Sequence, residues 1–419
     1  MNEDVTSAAL ITNDAVVLGL LMVILGLIFY TSSLENRFWQ KFYGYVPSLL
    51  LCYFVPSVFN SMGIIDGEVS NLYFVASRYL LPTSLVLLTL SIDLKGIVRL
   101  GPKAVIMFLT GTTGIIIGGP LAILIVSAFA PDVVGGAGPD EVWRGMATIA
   151  GSWIGGGANQ AAMYEVFGAS AELFSAMIAV DVIVANLWMA FLLIGAGRSE
   201  QMDRAFKADA SAINELKHKI EKYRLSIAKM PKLSDTMAIL AVGFGATGVA
   251  HLIGDWMAPL IAARAPELER FSLTSPFFWI VVVATTVGLA FSFTRMKKLE
   301  GVGASRLGSV LLYVLVATVG MKMDVLAIFD NPGLFMVGLI WMLVHITLLL
   351  SVGKFIKAPF FFIAVGSQAN VGGAASAPIV ASAFNPSLAP VGVLLAVLGY
   401  ALGTYGAWLC GILMQMVAT

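Results

Sequence analysis

The sequence is short of charged residues and of cysteine. Of its 419 residues, 12% are charged and 58% are hydrophobic, whereas an average soluble domain has roughly 25% charged residues. The mean hydropathy of +0.89 excludes an ordinary soluble domain and predicts a polytopic membrane protein. The formal net charge of zero, with no basic surface beyond one linker, argues against nucleic acid as a partner. Two cysteines in apolar runs, Cys52 and Cys410, give neither a disulfide nor a metal pattern, and no cofactor is predicted.

Catalytic and nucleotide-binding motifs are lacking as well. The run GGGAN at 155–159 lacks the GK[ST] ending of a phosphate-binding loop and does not follow a βα unit. One alternative is an intramembrane serine hydrolase in which Ser152 is the nucleophile and His251 or His345 is the base. A matching serine in the second half, Ser367, argues against it, because a nucleophile has no need of a symmetry mate. We therefore expect that the protein is not an enzyme.

What the chain does have is long apolar runs. About 20 such residues are enough to cross a hydrocarbon layer of ~30 Å. Ten runs qualify, at 15–31, 43–62, 72–91, 104–129, 172–196, 236–261, 275–294, 306–321, 333–352 and 388–417. Two glycine-rich stretches, within 143–167 and 359–384, bring the total to twelve membrane segments.

Charge orients these segments in the membrane. Five loops on one side together hold 20 of the 25 Lys and Arg residues: 32–42, 92–103, 197–235, 295–306 and 353–358. By the positive-inside rule this side is cytoplasmic. The N-terminus lacks the positive region of a signal peptide, so the first apolar run is expected to remain as a span. We expect a multi-pass protein of the cell (inner) membrane, with both termini outside and the central linker in the cytoplasm.

The charge pattern holds only if neither glycine-rich segment adds a net crossing. Each half then has five crossings plus one broken or re-entrant helix, which is the inverted-repeat arrangement of many secondary transporters. The predicted domains are a first repeat at 1–196, a cytoplasmic linker at 197–235 and a second repeat at 236–419.

Short matches outside the glycine-rich stretches support this duplication. Residues 76–78 and 304–306 both read Ala-Ser-Arg and open equivalent crossings of the two halves. Asp93 and Asp324 close those same crossings. These matches follow the same order as the glycine-rich pair, so we predict an internal repeat.

The linker carries an apolar residue at every seventh position, namely Phe206, Ile213, Ile220 and Ile227. This spacing predicts an amphipathic helix with a single apolar stripe. We expect it to lie on the protein or on the membrane face, or to contact another subunit.

The two glycine-rich stretches form the predicted substrate site. Residues 151–164 read GSWIGGGANQAAMY, and residues 366–378 read GSQANVGGAASAP. Irregular backbone at membrane depth survives only where it is buried in protein or lines a watery cavity. A broken helix leaves main-chain N–H and C=O groups free for a solute or Na⁺, and glycine permits close approach. The predicted binding residues, expected to face each other across the two stretches, are Ser152, Gly156, Gly157, Asn159, Gln160, Ser367, Gln368, Asn370, Gly372, Gly373 and Ser376.

The alternative for these stretches is tight helix packing through small residues. Packing explains the glycines and alanines, but it does not explain the clustered amides. We therefore favour a binding site.

Asp181 and Asn186 fall in the middle of the crossing at 172–196. An acid at the bilayer centre costs at least ~2.5 kcal/mol on insertion scales, so it is by default a functional hypothesis. The counterpart helix offers Thr404 but no acid. We predict that these three residues couple transport to an ion; the alternative for Asp181 is a structural pair with a neighbouring helix. Na⁺, the expected coupling ion beside H⁺, is placed at Asn159, Asp181 and Asn370.

Three other polar residues lie in apolar runs. Arg78, at the outer end of its crossing, either pairs with a substrate carboxylate or extends towards the lipid headgroups. His251 and His345 each lack a second ligand on their helix, and we expect hydrogen-bonded core residues.

Four runs of the sequence resemble a known group of membrane proteins. They are GSWIGGGANQAAM, DVIVANLWM at 181–189, GSQANVGGAASAP and LGYALGTYG at 398–406. At these residues the chain resembles the YjcL-like family, which is similar to the sodium/glutamate symporters and, more distantly, to the bile-acid symporter and cation:proton antiporter clan. The resemblance implies a scaffold domain and a core domain in which broken helices cross at the substrate site. It also implies elevator-like movement of the core, often in a homodimer.

Together these features predict an ion-coupled secondary active transporter in the lipid bilayer. The expected driving ion is Na⁺ or H⁺, and the expected substrate is a small carboxylate-bearing solute such as an amino acid or a short peptide. A passive channel is the alternative from another class, beside the hydrolase.

Overall fold

The computed structural model describes residues 9–46, 48–67, 69–92, 94–208, 231–323, 332–385 and 388–418. Within these ranges the regular secondary structure is helical, apart from one isolated bridge between Ile11 and Ile65. In apolar surroundings a helix satisfies its backbone hydrogen bonds within one segment, which is why long apolar runs adopt it. The all-α prediction is confirmed for the part of the chain that the structure describes.

The helices of the described residues are numbered in chain order. They are α1 Asp14–Ser32, α2 Arg37–Tyr45, α3 Ser48–Ser61, α4 Leu72–Leu90, α5 Leu94–Arg99, α6 Pro102–Ser127, α7 Pro131–Val134, α8 Val142–Gly155, α9 Gly157–Phe167, α10 Ala171–Ala196, α11 Ser199–Phe206, α12 Leu233–Arg264, α13 Pro276–Ser292, α14 Ala304–Gly320, α15 Gly333–Phe355, α16 Phe360–Val371, α17 Gly373–Phe384 and α18 Ala389–Ala418. Short 3₁₀ turns lie at Gly138–Asp140, Pro266–Phe271 and Arg295–Val302. Within α4, residues Ala76–Leu80 form a π-helical turn.

Helices lie at all ten positions where the sequence predicts a crossing. Among the described residues, seven helices are individually long and apolar enough to span a membrane: α1, α4, α6, α10, α12, α15 and α18. The number rises to nine if two bent pairs each count as one span. α14 is shorter, at 17 residues. A multi-pass membrane protein is therefore confirmed, while the count of ten crossings stays a prediction.

The helices pack in two groups that share a boundary. The first group is α1, α3, α4, α12, α13 and α14, and the second is α6, α8, α9, α10, α15, α16, α17 and α18. The boundary forms where α9 and α18 contact α4, α13 and α14. It is partly polar, because the Thr285 and Thr404 hydroxyls are 3.0 Å apart and the Thr286 and Tyr405 hydroxyls are 2.7 Å apart.

Helices α6 and α15 run antiparallel inside the second group. The Lys103 ammonium donates to the Lys357 carbonyl (2.9 Å), and the Trp341 indole donates to the Ile115 carbonyl (2.8 Å). A β-carbon on Gly118 would lie 2.5 Å from the Trp341 ring, so the contact is as close as glycine allows. It follows that the C-terminal ends of α6 and α15 lie at opposite ends of the bundle.

The linker is described only at its two ends. Helix α11 begins it, and the Asp203 carboxylate accepts from the Phe360 backbone N–H at 2.7 Å, which holds this end against the start of α16. The predicted apolar stripe beyond Phe206 lies outside the described residues, as do Asp93 and Asp324. The linker helix and this part of the repeat stay predictions.

Candidate functional site

Helices α8 and α9 fold back on each other at Gly156, whose φ is 75°. Residues with a β-carbon rarely adopt that conformation, so the break needs glycine. The outer ends of the two helices lie together, because the Arg144 guanidinium donates to the Phe167 carbonyl (2.5 Å) and the Trp143 and Phe167 rings are 5.6 Å apart. The segment is a helical hairpin, here called hairpin 1 (residues 142–167).

Helices α16 and α17 form a second helical hairpin, here called hairpin 2 (residues 360–384). The break falls at Gly372 and Gly373, and Gly373 has a φ of 58°. The outer ends again meet, with the Phe360 and Phe384 ring centroids 6.1 Å apart. Both predicted breaks are present, and at each of them the chain turns back.

The hairpins enter the bundle from opposite ends. Hairpin 1 follows the Ser127 end of α6, and hairpin 2 follows the Phe355 end of the antiparallel α15. Both then reach α18 at one glycine. A β-carbon on Gly399 would lie 2.5 Å from the Ile154 carbonyl oxygen of hairpin 1 and 3.7 Å from the Ala369 carbonyl oxygen of hairpin 2. Main-chain carbonyls of both hairpins therefore face the same point on α18.

Asn159 attaches hairpin 1 to α18. Its amide nitrogen donates to the Gly155 carbonyl (3.1 Å) and to the Tyr400 carbonyl (3.0 Å). Its amide oxygen accepts from the Thr404 hydroxyl (2.6 Å). A β-carbon on Gly403 would lie 2.5 Å from the Gly155 Cα, so the two segments approach more closely than any larger residue permits.

Asn370 attaches hairpin 2 to α6 through the same three kinds of bond. Its amide nitrogen donates to the Gly366 and Phe108 carbonyls (both 2.9 Å), and its amide oxygen accepts from the Thr112 hydroxyl (2.7 Å). The sequence led us to expect the two amides to face each other. In the structure each amide bonds the main chain of a neighbouring helix, which satisfies the polar atoms of a buried side chain.

Asp181 is buried in α10 and receives hydrogen bonds from hairpin 1. The Trp153 indole donates to one carboxylate oxygen (2.7 Å) and the Gln160 amide to the other (3.0 Å). Ser152, the predicted binding residue next to Trp153, is buried at 8% exposure. Neither of the two ion pairs in the described ranges includes Asp181, which is 6% exposed. Its carboxylate thus has neutral donors and no described cation.

Ser367 of hairpin 2 stands in a buried chain of polar groups. The Trp188 indole donates to its hydroxyl (2.8 Å), which lies 2.8 Å from the His345 Nε2. The other ring nitrogen of His345 is 3.1 Å from the Gly111 carbonyl, which can only accept, so Nδ1 carries the proton and Ser367 donates to Nε2. The prediction of a hydrogen-bonded core histidine is confirmed.

Other predicted residues lie at the edges of this arrangement. The Gln368 amide donates to the Ser376 hydroxyl (2.7 Å) across the turn of hairpin 2, and its oxygen is buried without a hydrogen-bond partner. Asn186 donates to the Val182 carbonyl of its own helix (2.8 Å). The three residues of the predicted Na⁺ site form hydrogen bonds with three separate sets of partners, so that site stays a prediction.

A cavity lies at the base of hairpin 1. It has a volume of about 520 Å³ and is lined by charges of both signs and by aromatic rings, among them Arg144, Glu267, Arg270, Trp143 and Phe167.

Comparison with known proteins identifies the family. A model of the family described as protein of unknown function (DUF819) matches residues 19–417. The chain belongs to the DUF819 family. It is also 25% identical over 391 residues to the uncharacterized membrane protein YjcL of Bacillus subtilis (strain 168), an alignment that covers 89% of this chain and 90% of that protein. The predicted resemblance to the YjcL-like family is confirmed.

In this DUF819 chain the sequence did not reveal the partners of the predicted residues. Trp153 and Trp188 donate to Asp181 and Ser367, yet in the sequence they are two more apolar residues in apolar runs. The two tryptophans could have been recognised as hydrogen-bond donors to buried polar residues, because a buried indole N–H usually requires an acceptor. Thr112 gave no such signal, since a helical threonine also bonds the carbonyl four residues before it.

Proposed function

We propose that the protein is a secondary active transporter, driven by Na⁺ or H⁺, of a small carboxylate-bearing solute. The observation that carries the proposal is the meeting of two helical hairpins, entering from opposite ends, at α18. Interrupted helices at membrane depth are typical of transporter binding sites. Because the two hairpin tips approach from opposite ends of the bundle, a solute bound between them would contact main-chain groups of both hairpins.

Coupling to an ion is supported by Asp181. A buried carboxylate is costly unless it is paired or neutralised. Its described partners are the neutral indole of Trp153 and the neutral amide of Gln160, both on or beside the tip of hairpin 1. Binding of Na⁺ or H⁺ would compensate this charge, so occupancy of the site would change the stability of the hairpin.

Movement is supported by the division of the helices into two groups. We propose that the first group is a scaffold and that the second, which holds both hairpins, is a core that moves against it as in an elevator. Hydroxyl pairs such as Thr285 with Thr404 at the boundary are easily exchanged for other partners. The opposite entry of the hairpins also supports the proposed inverted repeats, and the distribution of Lys and Arg among the loops supports the orientation with both termini outside. A homodimer is proposed on the family resemblance alone.

The test is solute accumulation in proteoliposomes that contain the purified full chain. With an imposed Na⁺ or pH gradient, we expect an amino acid or another small carboxylate from a panel to accumulate above its equilibrium level. Asp181→Asn, Asn159→Ala and Asn370→Ala should each abolish accumulation while the protein stays folded. Thr347→Val is the matched control, since Thr347 is exposed and bonds the Leu343 carbonyl of its own helix.

Two results would contradict the proposal. Normal accumulation by all three variants would remove the site assignment. Equilibration of solutes without accumulation, whichever gradient is imposed, would favour a passive channel.

A further inference from the structure

A carboxylate is already bound between the two helix groups. Glu165 of α9, in the second group, forms an ion pair with Arg78 of α4, in the first group, at 3.0 Å between Arg78 Nη2 and Glu165 Oε2. The Tyr73 hydroxyl of α4 donates to the other oxygen of the same carboxylate. Both oxygens of Glu165 are therefore held by donors from the opposite group.

The backbone around Arg78 is shaped in an unusual way. Arg78 is the central residue of the π-helical turn Ala76–Leu80, and its own carbonyl oxygen is 2.8 Å from the His251 ring. Single π-turns inside α-helices are rare and occur often at functional sites. The extra residue in a π-turn changes the directions in which the neighbouring side chains leave the helix. Here the Arg78 side chain points across the boundary to α9.

Glu165 does not use all the hydrogen-bond donors of the Arg78 guanidinium. Arg78 Nη1 is buried and has no hydrogen-bond partner. The Phe277 ring covers the guanidinium at 4.4 Å and offers an attractive face but no acceptor. A buried N–H without an acceptor carries a free-energy cost, and a bidentate carboxylate is the ligand that fits the fork of an arginine.

A second cation lies beside this cluster. The Lys322 ammonium is 4.9 Å from the centre of the Tyr73 ring. The aromatic rings of Tyr73 and Phe277 border this cluster and restrict the shape of a group that binds there.

We propose that Arg78 and Tyr73 recognise the carboxylate of the transported solute, and that Glu165 occupies their donors as an internal substitute until the solute displaces it. This inference rests on the proposed transport function and assigns its substrate-recognising residues. Because Glu165 and Arg78 belong to different helix groups, the displacement would also separate the two groups at this point. Recognition of the solute and release of the core would then be one event.

The experiment measures thermal unfolding of the purified full chain with acetate as the probe, against chloride at equal ionic strength. Glu165→Ala removes the carboxylate but leaves the donors of Arg78 and Tyr73 in place. Acetate should therefore raise the unfolding temperature of this variant by on the order of 2 °C. The wild type should gain less, because Glu165 competes for the same donors. The double variant Arg78→Gln, Glu165→Ala should gain nothing, and acetamide, which has the same shape without the charge, should have no effect on any of them.

Glu141→Ala supplies a matched control, since Glu141 forms the other described ion pair, with Arg144 at 2.7 Å. If acetate stabilised this variant as much as Glu165→Ala, the effect would be a general one of arginines that have lost an ion-pair partner, and the proposal would be wrong. Equal gains in Glu165→Ala and the double variant, or no gain in either, would also overturn it. Should Glu165→Ala fail to fold, Glu165→Gln takes its place with the same expectations.

Failure here is separable from failure of the transport proposal. Accumulation of a solute in proteoliposomes without any acetate effect would leave the transporter intact and remove only Arg78 and Tyr73 as its recognition site. For any solute that accumulates, we expect Glu165→Gln to lower the half-saturating concentration and Arg78→Gln to raise it, each by at least about fivefold, since the first removes a competitor and the second removes the donor.

Discussion

Replacement of Gly403 by alanine tests whether transport depends on the contact between hairpin 1 and α18. A β-carbon on Gly403 would lie 2.5 Å from the Gly155 Cα and 2.6 Å from the Asn159 amide nitrogen. Carbon atoms in contact sit about 3.5–4.0 Å apart, so the hairpin and α18 must separate by roughly 1 Å. Overpacking of this kind costs ~1–3 kcal/mol. The helical preference of alanine over glycine offsets up to ~1 kcal/mol of that.

The separation also weakens the bonds that Asn159 makes to α18. These are the 3.0 Å bond to the Tyr400 carbonyl and the 2.6 Å bond from the Thr404 hydroxyl. Each has a net value of ~0.5–1.5 kcal/mol. We therefore expect Gly403→Ala to destabilise the protein by about 2 kcal/mol and to abolish solute accumulation, because the hairpin tip no longer lies against α18.

The assays are thermal unfolding in detergent and accumulation in proteoliposomes. Gly245→Ala and Gly248→Ala are the controls, because a β-carbon at either position meets no atom within 4 Å. Both lie inside α12, where alanine should leave stability unchanged or slightly raise it. If Gly403→Ala matched these controls in both assays, the close approach of hairpin 1 to α18 would not be what transport requires.

Two further predictions concern hairpin 2. Thr112→Val removes the hydroxyl that donates to Asn370, and we expect lower stability by ~1 kcal/mol and reduced accumulation, while the neighbouring exposed Thr113→Val should resemble the wild type. Ser367→Ala leaves a buried indole N–H and a buried imidazole nitrogen without partners, so a loss of about 2–4 kcal/mol is expected in thermal unfolding, against little change for Ser382→Ala, whose hydroxyl bonds its own helix. Equal unfolding temperatures within either pair would contradict the corresponding bond.

The positions of the helices could be predicted closely because they depend on local composition. The crossing predicted at 172–196 is the helix Ala171–Ala196, and the one predicted at 388–417 is Ala389–Ala418. A continuous apolar run has to satisfy its own backbone, and the helix is the single-segment solution. The two helix breaks could be predicted for the same reason, since a cluster of glycines interrupts an apolar helix wherever it occurs.

The contacts of the site could not be read from the sequence in this way. Nothing local to Asn159 indicates that Tyr400 and Thr404 supply its partners, 241 and 245 positions later. Likewise nothing near Asp181 indicates that an indole and an amide from hairpin 1 hold its carboxylate. Hydrogen-bond partners across helices depend on the way in which the helices pack, and packing is a property of the whole chain.

The sequence by itself determined that this protein lies in a membrane, where its helices fall and where two of them are interrupted, because these features depend on composition over about 20 neighbouring residues. The tertiary structure alone decided that both interrupted segments turn back at their glycines, that they meet on α18, and that Glu165 reaches Arg78 across the boundary of the two helix groups. Those outcomes depend on close approach between segments that are distant in the chain, and local composition does not specify it.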